Sequence, residues 1–140
     1  MQIFRRVCIF ILFTTASFSV IAAMPRFALT GLTDAKVETF FLKLQHAVDT
    51  HDVKRIATMI SYPPVVNGKA TVLSSDYFKK HYNDIFTKNV VAAVRRQKYG
   101  SLFGNDQGVM IGNGELWFSG VCRDASCNDP HVRIVAIKIV

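Results

Sequence analysis

Three residues of this chain could take part in acid–base chemistry: Glu115, His81 and Asp106. Glu115 stands two positions before Trp117, the only tryptophan, so both side chains share one face of a predicted strand. A carboxyl group held beside an aromatic wall loses contact with water and is suited to act as a general acid or base. His81 belongs to a helix with a wide aromatic face, and it is the best placed of the four histidines to reach a pocket.

These candidates also have ordinary structural explanations, which we favour. Glu115 would then be an ion-paired residue at a strand end, facing for example Lys138, and Trp117 would be part of the core. His81 would be a hydrogen-bonded structural histidine. If a pocket forms, we expect its aromatic lining to come from Trp117, Tyr82, Phe118 and Tyr99.

Signatures of several other chemistries are absent from the sequence. It contains no phosphate-binding loop, no nucleophile elbow, and no metal-ligand spacing with two ligands in reach, so we expect no cofactor and no metal. A loose basic patch beside Tyr99 has the charge and the aromatic platform of a nucleic-acid surface. In an exported protein we favour a solvated edge, and we expect no nucleic-acid partner. The patch consists of Lys88, Arg95, Arg96 and Lys98.

Residues 1–23 have the layout of a cleavable secretory signal peptide. Arg5 and Arg6 form a basic start, an apolar run follows, and the small residues Ala22 and Ala23 end the segment. The alternative is an uncleaved transmembrane anchor, but the run is short for a span and is diluted by Thr and Ser. Cleavage near Ala22 or Ala23 predicts a periplasmic or secreted protein with no stable membrane anchor. Loss of the two arginines lowers the net charge from +7 to +5.

The remaining chain, residues 24–140, has the length of a single domain with a core of its own. A basic exported domain could meet acidic partners or anionic surfaces, although widely spread charges favour a role in solubility. Cys122 and Cys127 are the two cysteines left after cleavage, and an even number in an oxidising compartment predicts a disulfide. The alternative is a metal site, for which His131 is the only nearby imidazole.

The elements that must position these side chains begin with helices. Thr33 can cap a helix over residues 34–50, in which apolar residues recur at helical spacing. Asp52 can cap a second, short helix that the run Tyr-Pro-Pro at 62–64 ends. A third helix, capped by a serine, is predicted over residues 76–86.

Strand signals lie on both sides of the third helix. Asn67-Gly68 between two β-prone runs is the strongest short-range signal for a hairpin, because both central residues of its turn need positive φ. Residues 87–97 suit either a strand or a helix, and we favour a short helix or turn. A strand is predicted to follow at residues 98–103.

The end of the chain consists of strands. Apolar runs at 109–111 and 115–122 flank Gly-Asn-Gly, which predicts a strand pair at the centre of the sheet. The last run, 131–140, is apolar on both faces and belongs in the middle of the sheet. The order of elements predicts an α+β fold, with N-terminal helices packed on one face of a strongly curved antiparallel sheet.

Several of these segments, taken in order, resemble a known superfamily. They are the hairpin VNGKATVL, the helix SSDYFKKHYNDIF, the strand pair GVMIGNGELWF and the last apolar strand. They resemble small exported bacterial domains of the NTF2-like (cystatin-like cone) superfamily with a Gly-x-Met-x-Gly-x-Gly-x-x-Trp pattern. The resemblance covers about residues 33–140. It implies a bent sheet wrapped around the first helices as a cone with a pocket, and a homodimer through the open face of the sheet.

The resemblance and the residues together leave two functions open. The first is a non-catalytic domain that binds a small molecule or a protein partner through the cone or the sheet, in an inhibitor- or immunity-like role. It predicts an apolar pocket or an exposed apolar patch on the sheet. The alternative is a small periplasmic hydrolase or isomerase that uses Glu115, His81 or Asp106 with a tyrosine. It predicts two ionisable groups that converge in one cavity.

Overall fold

A computed structural model describes residues 24–139, so the predicted signal peptide lies outside the described residues. The chain folds into one five-stranded sheet with helices packed against it, which confirms the predicted α+β class. The strands are β1 (Ile60–Val66), β2 (Phe103–Asn105), β3 (Gly108–Ile111), β4 (Leu116–Val121) and β5 (His131–Ile137). The order across the sheet is β1-β5-β4-β3-β2, so β4 is central and β5 lies inside the sheet.

Five α-helices accompany the sheet in the described part of the chain. They are α1 (Asp34–Asp49), α2 (Val53–Thr58), α3 (Ser75–Lys80), α4 (Tyr82–Ile85) and α5 (Lys88–Arg96). The predicted N-caps Thr33 and Asp52 are confirmed, and Ser74 is the serine that caps the third helix, because each side chain accepts a hydrogen bond from the N–H three residues later. Thr87 caps α5 in the same way, and this helix confirms the preference for a helix over residues 87–97.

The core lies between the helices and one face of the sheet. Phe40 of α1 packs on Phe118 of β4 with ring centroids 4.9 Å apart. Around this contact the helices and strands bury a continuous apolar cluster, in which no described charged side chain is buried. The sheet contributes Val109, Ile111, Leu116, Phe118, Ile134 and Ile137 to it. Alternate residues of each strand therefore face away from the helices.

The predicted hairpin at Asn67-Gly68 is wrong beyond its turn. Both residues have positive φ, and Val66 and Lys69 exchange two backbone hydrogen bonds, as in a two-residue turn. The segment directly after Lys69 does not form a strand. Instead β1 pairs in parallel with β5, where Val65 lies opposite Ala136, so the sheet is mixed rather than antiparallel. The long apolar β5 supplies β1 with an apolar partner strand, whereas in the segment that follows Lys69, residues 70–74, only Val72 is buried.

The two prolines after Tyr62 lie inside β1, whereas the sequence predicted that they end a helix. The helix α2 already ends at Thr58. Proline cannot donate to a neighbouring strand. Pro63 and Pro64 are compatible with the sheet because β1 is an edge strand and its pairing with β5 is irregular between Ile60 and Val65, where both prolines lie.

Two further predictions differ in detail. The third helix is divided at His81 into α3 and α4. The rings of Phe78, Tyr82 and Phe86 form one cluster, in which the Tyr82 ring lies 5.8 and 5.5 Å from the other two. The strand predicted at residues 98–103 is a 3₁₀ turn followed by β2. The Arg26 guanidinium holds three carbonyl groups of this segment at 2.6–3.1 Å, so they are not free to pair with a strand.

None of the helices within residues 24–139 combines the length and the apolar character that crossing a membrane requires.

Candidate functional site

The face of the sheet that points away from the helices carries an apolar row. In register across neighbouring strands, Phe103 lies opposite Met110, Met110 opposite Trp117, and Trp117 opposite Ala136. Val65 lies opposite Ala136 and completes the row on the edge strand. The row therefore crosses all five strands, with Trp117 at its centre. We call these five residues the apolar row, and the face that carries them the outer face.

The apolar row is open to solvent at both ends. Phe103 is 53% exposed and Val65 is 44% exposed, whereas their neighbours Leu102 and Val66 are buried. The helices pack on the opposite face, where Phe118 is fully buried. Exposed apolar residues that form one contiguous patch are typical of an interaction surface, whereas scattered ones are not.

A shallow depression of about 500 Å³ lies beside the row. Trp117 forms one wall, and the turn Asn67-Gly68 and the end of the chain form the others. Ile139 is tied to this turn, because its N–H donates to the Asn67 side-chain oxygen at 2.6 Å. The lining is mostly apolar, with Lys138 as the charged member.

The outer face becomes polar on one side of the row. Ser119 of β4 lies opposite Arg133 of β5, and the next pair on the same face of the sheet is Val121 with His131. Gly108 stands beside Ser119 with φ of +132°, and a side chain there would collide with the Phe118 carbonyl oxygen at 2.5 Å. The outer face thus combines an apolar centre with a basic border.

Glu115 lies in the turn between β3 and β4. Its carboxylate accepts a hydrogen bond from the Asn113 N–H and closes the turn. Its carbonyl oxygen accepts from the Lys138 N–H at 2.9 Å, so the two residues meet through the main chain. This arrangement gives Glu115 a turn-closing role.

His81 and Asp106 lie elsewhere. The His81 ring stacks on Tyr77 with centroids 4.3 Å apart, and Nδ1 is 3.4 Å from Asp84 Oδ2 at the surface. Asp106 is exposed in the turn between β2 and β3. The three acid–base candidates therefore occupy three different junctions, and in the described part of the chain no two of them share a hydrogen bond or an ion pair.

The four aromatic residues expected in a pocket are separated as well. Phe118 is in the core, and Trp117 is on the outer face. Tyr82 is buried against His51, Phe78 and Phe86. Its hydroxyl oxygen has no hydrogen-bond partner within residues 24–139, and burial raises its pKa, although Arg95 opposes this.

Tyr99 has a structural position at the start of the 3₁₀ turn that precedes β2. Its ring lies 6.2 Å from that of Phe27 and beneath the Arg26 guanidinium, and its hydroxyl donates to the Asp34 carbonyl oxygen at 3.4 Å. Loss of hydration raises its pKa, with smaller contributions from Asp34 and Glu38 and an opposing one from Arg26. In the basic patch beside it, Arg95 is paired with Asp49 at 3.0 Å.

The sequence reasoning missed four members of the apolar row: Phe103, Met110, Ala136 and Val65. Met110 could have been found, because a hairpin that turns at Asn113-Gly114 places Met110 opposite Trp117. The partners on β5 and β1 carry no such local signal. Their pairing depends on a crossover and on an irregularity between Trp117 and Phe118 that shifts the register.

Two cysteines lie close together after β4. Cys122 and Cys127 lie at bonding distance with Cα atoms 4.9 Å apart, within the range of disulfides. Asp124 organises the loop between them: it accepts from the Ser126 hydroxyl and from the N–H groups of Ser126 and Cys127, which lowers the Asp124 pKa.

Comparisons with known proteins add no assignment. The chain matches no family model, no curated protein and no solved structure.

Proposed function

We propose that this chain is an exported, non-catalytic binding domain of the NTF2-like type, and that the outer face of its sheet is a protein interface. The observation that carries the proposal is the apolar row, which crosses the sheet in register and is centred on Trp117. The separation of Glu115, His81 and Asp106 supports a binding role over acid–base catalysis, which needs its groups in one place.

The occupant we propose for the outer face is a second copy of the chain. Two sheets that pack face to face keep their strands roughly aligned. If the twofold axis runs along the central strand β4, each Trp117 meets its copy. Phe103 and Met110, the large members of the row, then lie over Val65 and Ala136, the small ones. The row is self-complementary in this arrangement, as a twofold interface must be.

The basic border is compatible with the same arrangement. Arg133 lies on β5, on one side of β4, and Gly108 lies at the same level on the other side. The twofold axis places Arg133 of one copy over Gly108 of the other, so that like charges do not meet.

The area available indicates a weak dimer. Five strands at a spacing of about 4.8 Å give a row about 19 Å wide. A contact centred on one row of five residues is small beside the roughly 20–30 residues a side of a standard interface. We therefore expect a dissociation constant of about 1–100 µM, and the association must be measured across that range.

Sedimentation velocity of the processed protein from micromolar to millimolar concentration tests the proposal. We expect a monomer–dimer equilibrium that Phe103→Glu abolishes. The matched control is Leu73→Glu, which places the same charge on a residue that is 72% exposed and lies outside the sheet. This control should dimerise like the wild type.

Three other outcomes would overturn the proposed occupant. If the protein stays monomeric at all concentrations, the outer face is not a self-interface. If the Phe103→Glu variant dimerises as strongly as the wild type, the dimer uses another surface. Association with a different protein or an apolar small molecule that Phe103→Glu abolishes would keep the binding role but replace the second copy.

The proposal that the protein is exported depends on residues 1–23 alone. We expect the protein recovered from a periplasmic extract to begin at Ala23 or Met24. Intact-mass measurement checks this directly, and a mass that includes residues 1–23 would contradict cleavage.

A further inference from the structure

A concave surface of about 390 Å³ lies between α1 and the beginning of β5, a size that is ordinary for ligand sites. Phe40 and Val132 contribute its apolar lining. The charged residues that line it are Lys36, Lys43, Asp129 and Arg133, and His131 also lines it. We call this surface the basic groove.

The charges of the basic groove are unbalanced. Asp129 is its only acidic residue and is bonded to Lys36, whose ammonium group holds the Asp129 pKa below its usual value. Lys43 and Arg133 have no acidic partner among residues 24–139; the Arg133 guanidinium donates to the Val132 carbonyl oxygen at 2.8 Å. The groove therefore has cations on both walls and a net positive charge.

One wall of the basic groove is an open strand edge. The edge strand β1 pairs with β5 only from Ile134 onward. The Ile134 N–H donates to the Met59 carbonyl oxygen at 2.8 Å, so the main-chain groups of Ile134 point away from β4. Residues two apart along a strand point the same way, and the N–H and C=O of Val132 therefore face the groove.

We infer that the basic groove binds an extended acidic peptide segment, which pairs with β5 at Val132 and places its carboxylates against Lys43 and Arg133. A peptide N–H replaces the Arg133 guanidinium as the donor to the Val132 carbonyl oxygen. The Arg133 guanidinium then pairs with a peptide carboxylate. Strand addition of this kind obtains affinity from the main chain and specificity from the side chains. The inference rests on charge and on the strand edge and uses no member of the apolar row, but it shares Arg133 with the basic border of the outer face.

The length of the groove favours a peptide over a small anion. Lys36 and Lys43 are seven residues apart on α1, which corresponds to about 10 Å along the helix. Three residues of an extended chain cover about the same distance. A single carboxylate or phosphate would reach only one end, and it would not use the Val132 carbonyl oxygen.

Fluorescence anisotropy with a labelled hexapeptide of alternating Glu and Val tests the inference on the processed protein. We expect binding that weakens with salt, because the contacts are ionic. The double variant Lys43→Gln, Arg133→Gln should bind about tenfold more weakly. The matched control Arg96→Gln, Lys98→Gln removes two exposed cations elsewhere, and its affinity should change by less than about twofold.

Two further probes separate strand addition from simple anion binding. The same peptide with every main-chain nitrogen methylated keeps its charge but loses its main-chain donors, and citrate carries carboxylates without a peptide backbone. Both should bind at least about tenfold more weakly than the parent peptide. The Val132 amide should exchange with solvent more slowly in the peptide complex.

The inference is overturned by any of three results: no binding of the parent peptide, equal binding of citrate or the methylated peptide, or equal weakening by the control double variant. Thermal unfolding of each variant shows whether a loss of binding reflects a loss of folding.

Discussion

The rings of Phe40 and Phe118 pack against each other with centroids 4.9 Å apart, and this contact joins α1 to the central strand of the sheet. Trp117, the residue before Phe118, faces the other side. Two adjacent positions therefore serve different purposes. Phe118 holds the helices on the sheet, and Trp117 belongs to the surface that we propose as an interface.

Replacing Phe118 should cost far more stability than replacing Trp117. Phe118 is fully buried, so Phe118→Ala should lower the free energy of unfolding by about 3–5 kcal/mol through lost burial and a new cavity. Trp117→Ala should cost about half of this or less, because its ring is partly exposed. Urea denaturation followed by circular dichroism, at a concentration where the protein is monomeric, measures both. Equal losses would mean that the outer face is covered.

The helical part of the fold could be read from the sequence because its signals are local. The caps Thr33, Asp52 and Ser74 and the apolar stripe of α1 all act within a few residues of the element they specify. The pairing of β1 with β5 could not be read in this way. It joins residues about 70 positions apart, and the local Asn67-Gly68 signal pointed to a hairpin instead.

The candidate site was predictable only in part, for a related reason. The alternation in β4 separates Trp117 from Phe118, and a single strand is enough to show it. The apolar row also needs the register of four strand pairs, one of them parallel, and one of them shifted between Trp117 and Phe118. No single segment carries that information.

Two tyrosines provide a matched test of a buried hydroxyl group. The Tyr82 hydroxyl is buried with no hydrogen-bond partner in residues 24–139, whereas the Tyr62 hydroxyl donates to the Ala57 carbonyl oxygen at 2.9 Å. We expect Tyr82→Phe to leave stability unchanged or to raise it by about 1 kcal/mol, because it removes an unpaired polar group. Tyr62→Phe should lower it by about 1 kcal/mol. Urea denaturation checks both, and a clear loss in Tyr82→Phe would reveal an unseen partner such as an ordered water.

The ion pair between Lys36 and Asp129 should make part of the stability depend on pH. The bond to Lys36 lowers the Asp129 pKa in the folded protein below the ordinary value of 3.8. A carboxyl group of this kind stabilises the fold above its unfolded pKa, and the effect disappears as the pH falls through the lowered value. Asp129→Asn should therefore be slightly less stable than the wild type at neutral pH, and the difference should close below pH 3.8.

Salt provides the control for the Asp129 prediction. The pair is exposed, so about 1 M NaCl should screen it and reduce the neutral-pH difference. Thermal melts of both proteins across pH, with and without salt, measure the effect. A stability difference between Asp129→Asn and the wild type that persists at low pH would show that the substitution acts on the loop by something other than the lost ion pair.

The pairing of Cys122 with Cys127 should contribute modestly to stability and strongly to the order of one loop. The closed loop is short, so loss of the bond removes only about 2 kcal/mol in the chain-entropy description. We expect Cys122→Ser, Cys127→Ser to stay folded with a loss of that size. A reducing agent should destabilise the wild type to the same level and leave the double variant unchanged.

Hydrogen exchange should accelerate at residues 123–130 while the amides of β4 keep their protection, because β4 is paired on both sides. Faster exchange throughout β4 would instead mean that the cysteine pair holds the sheet.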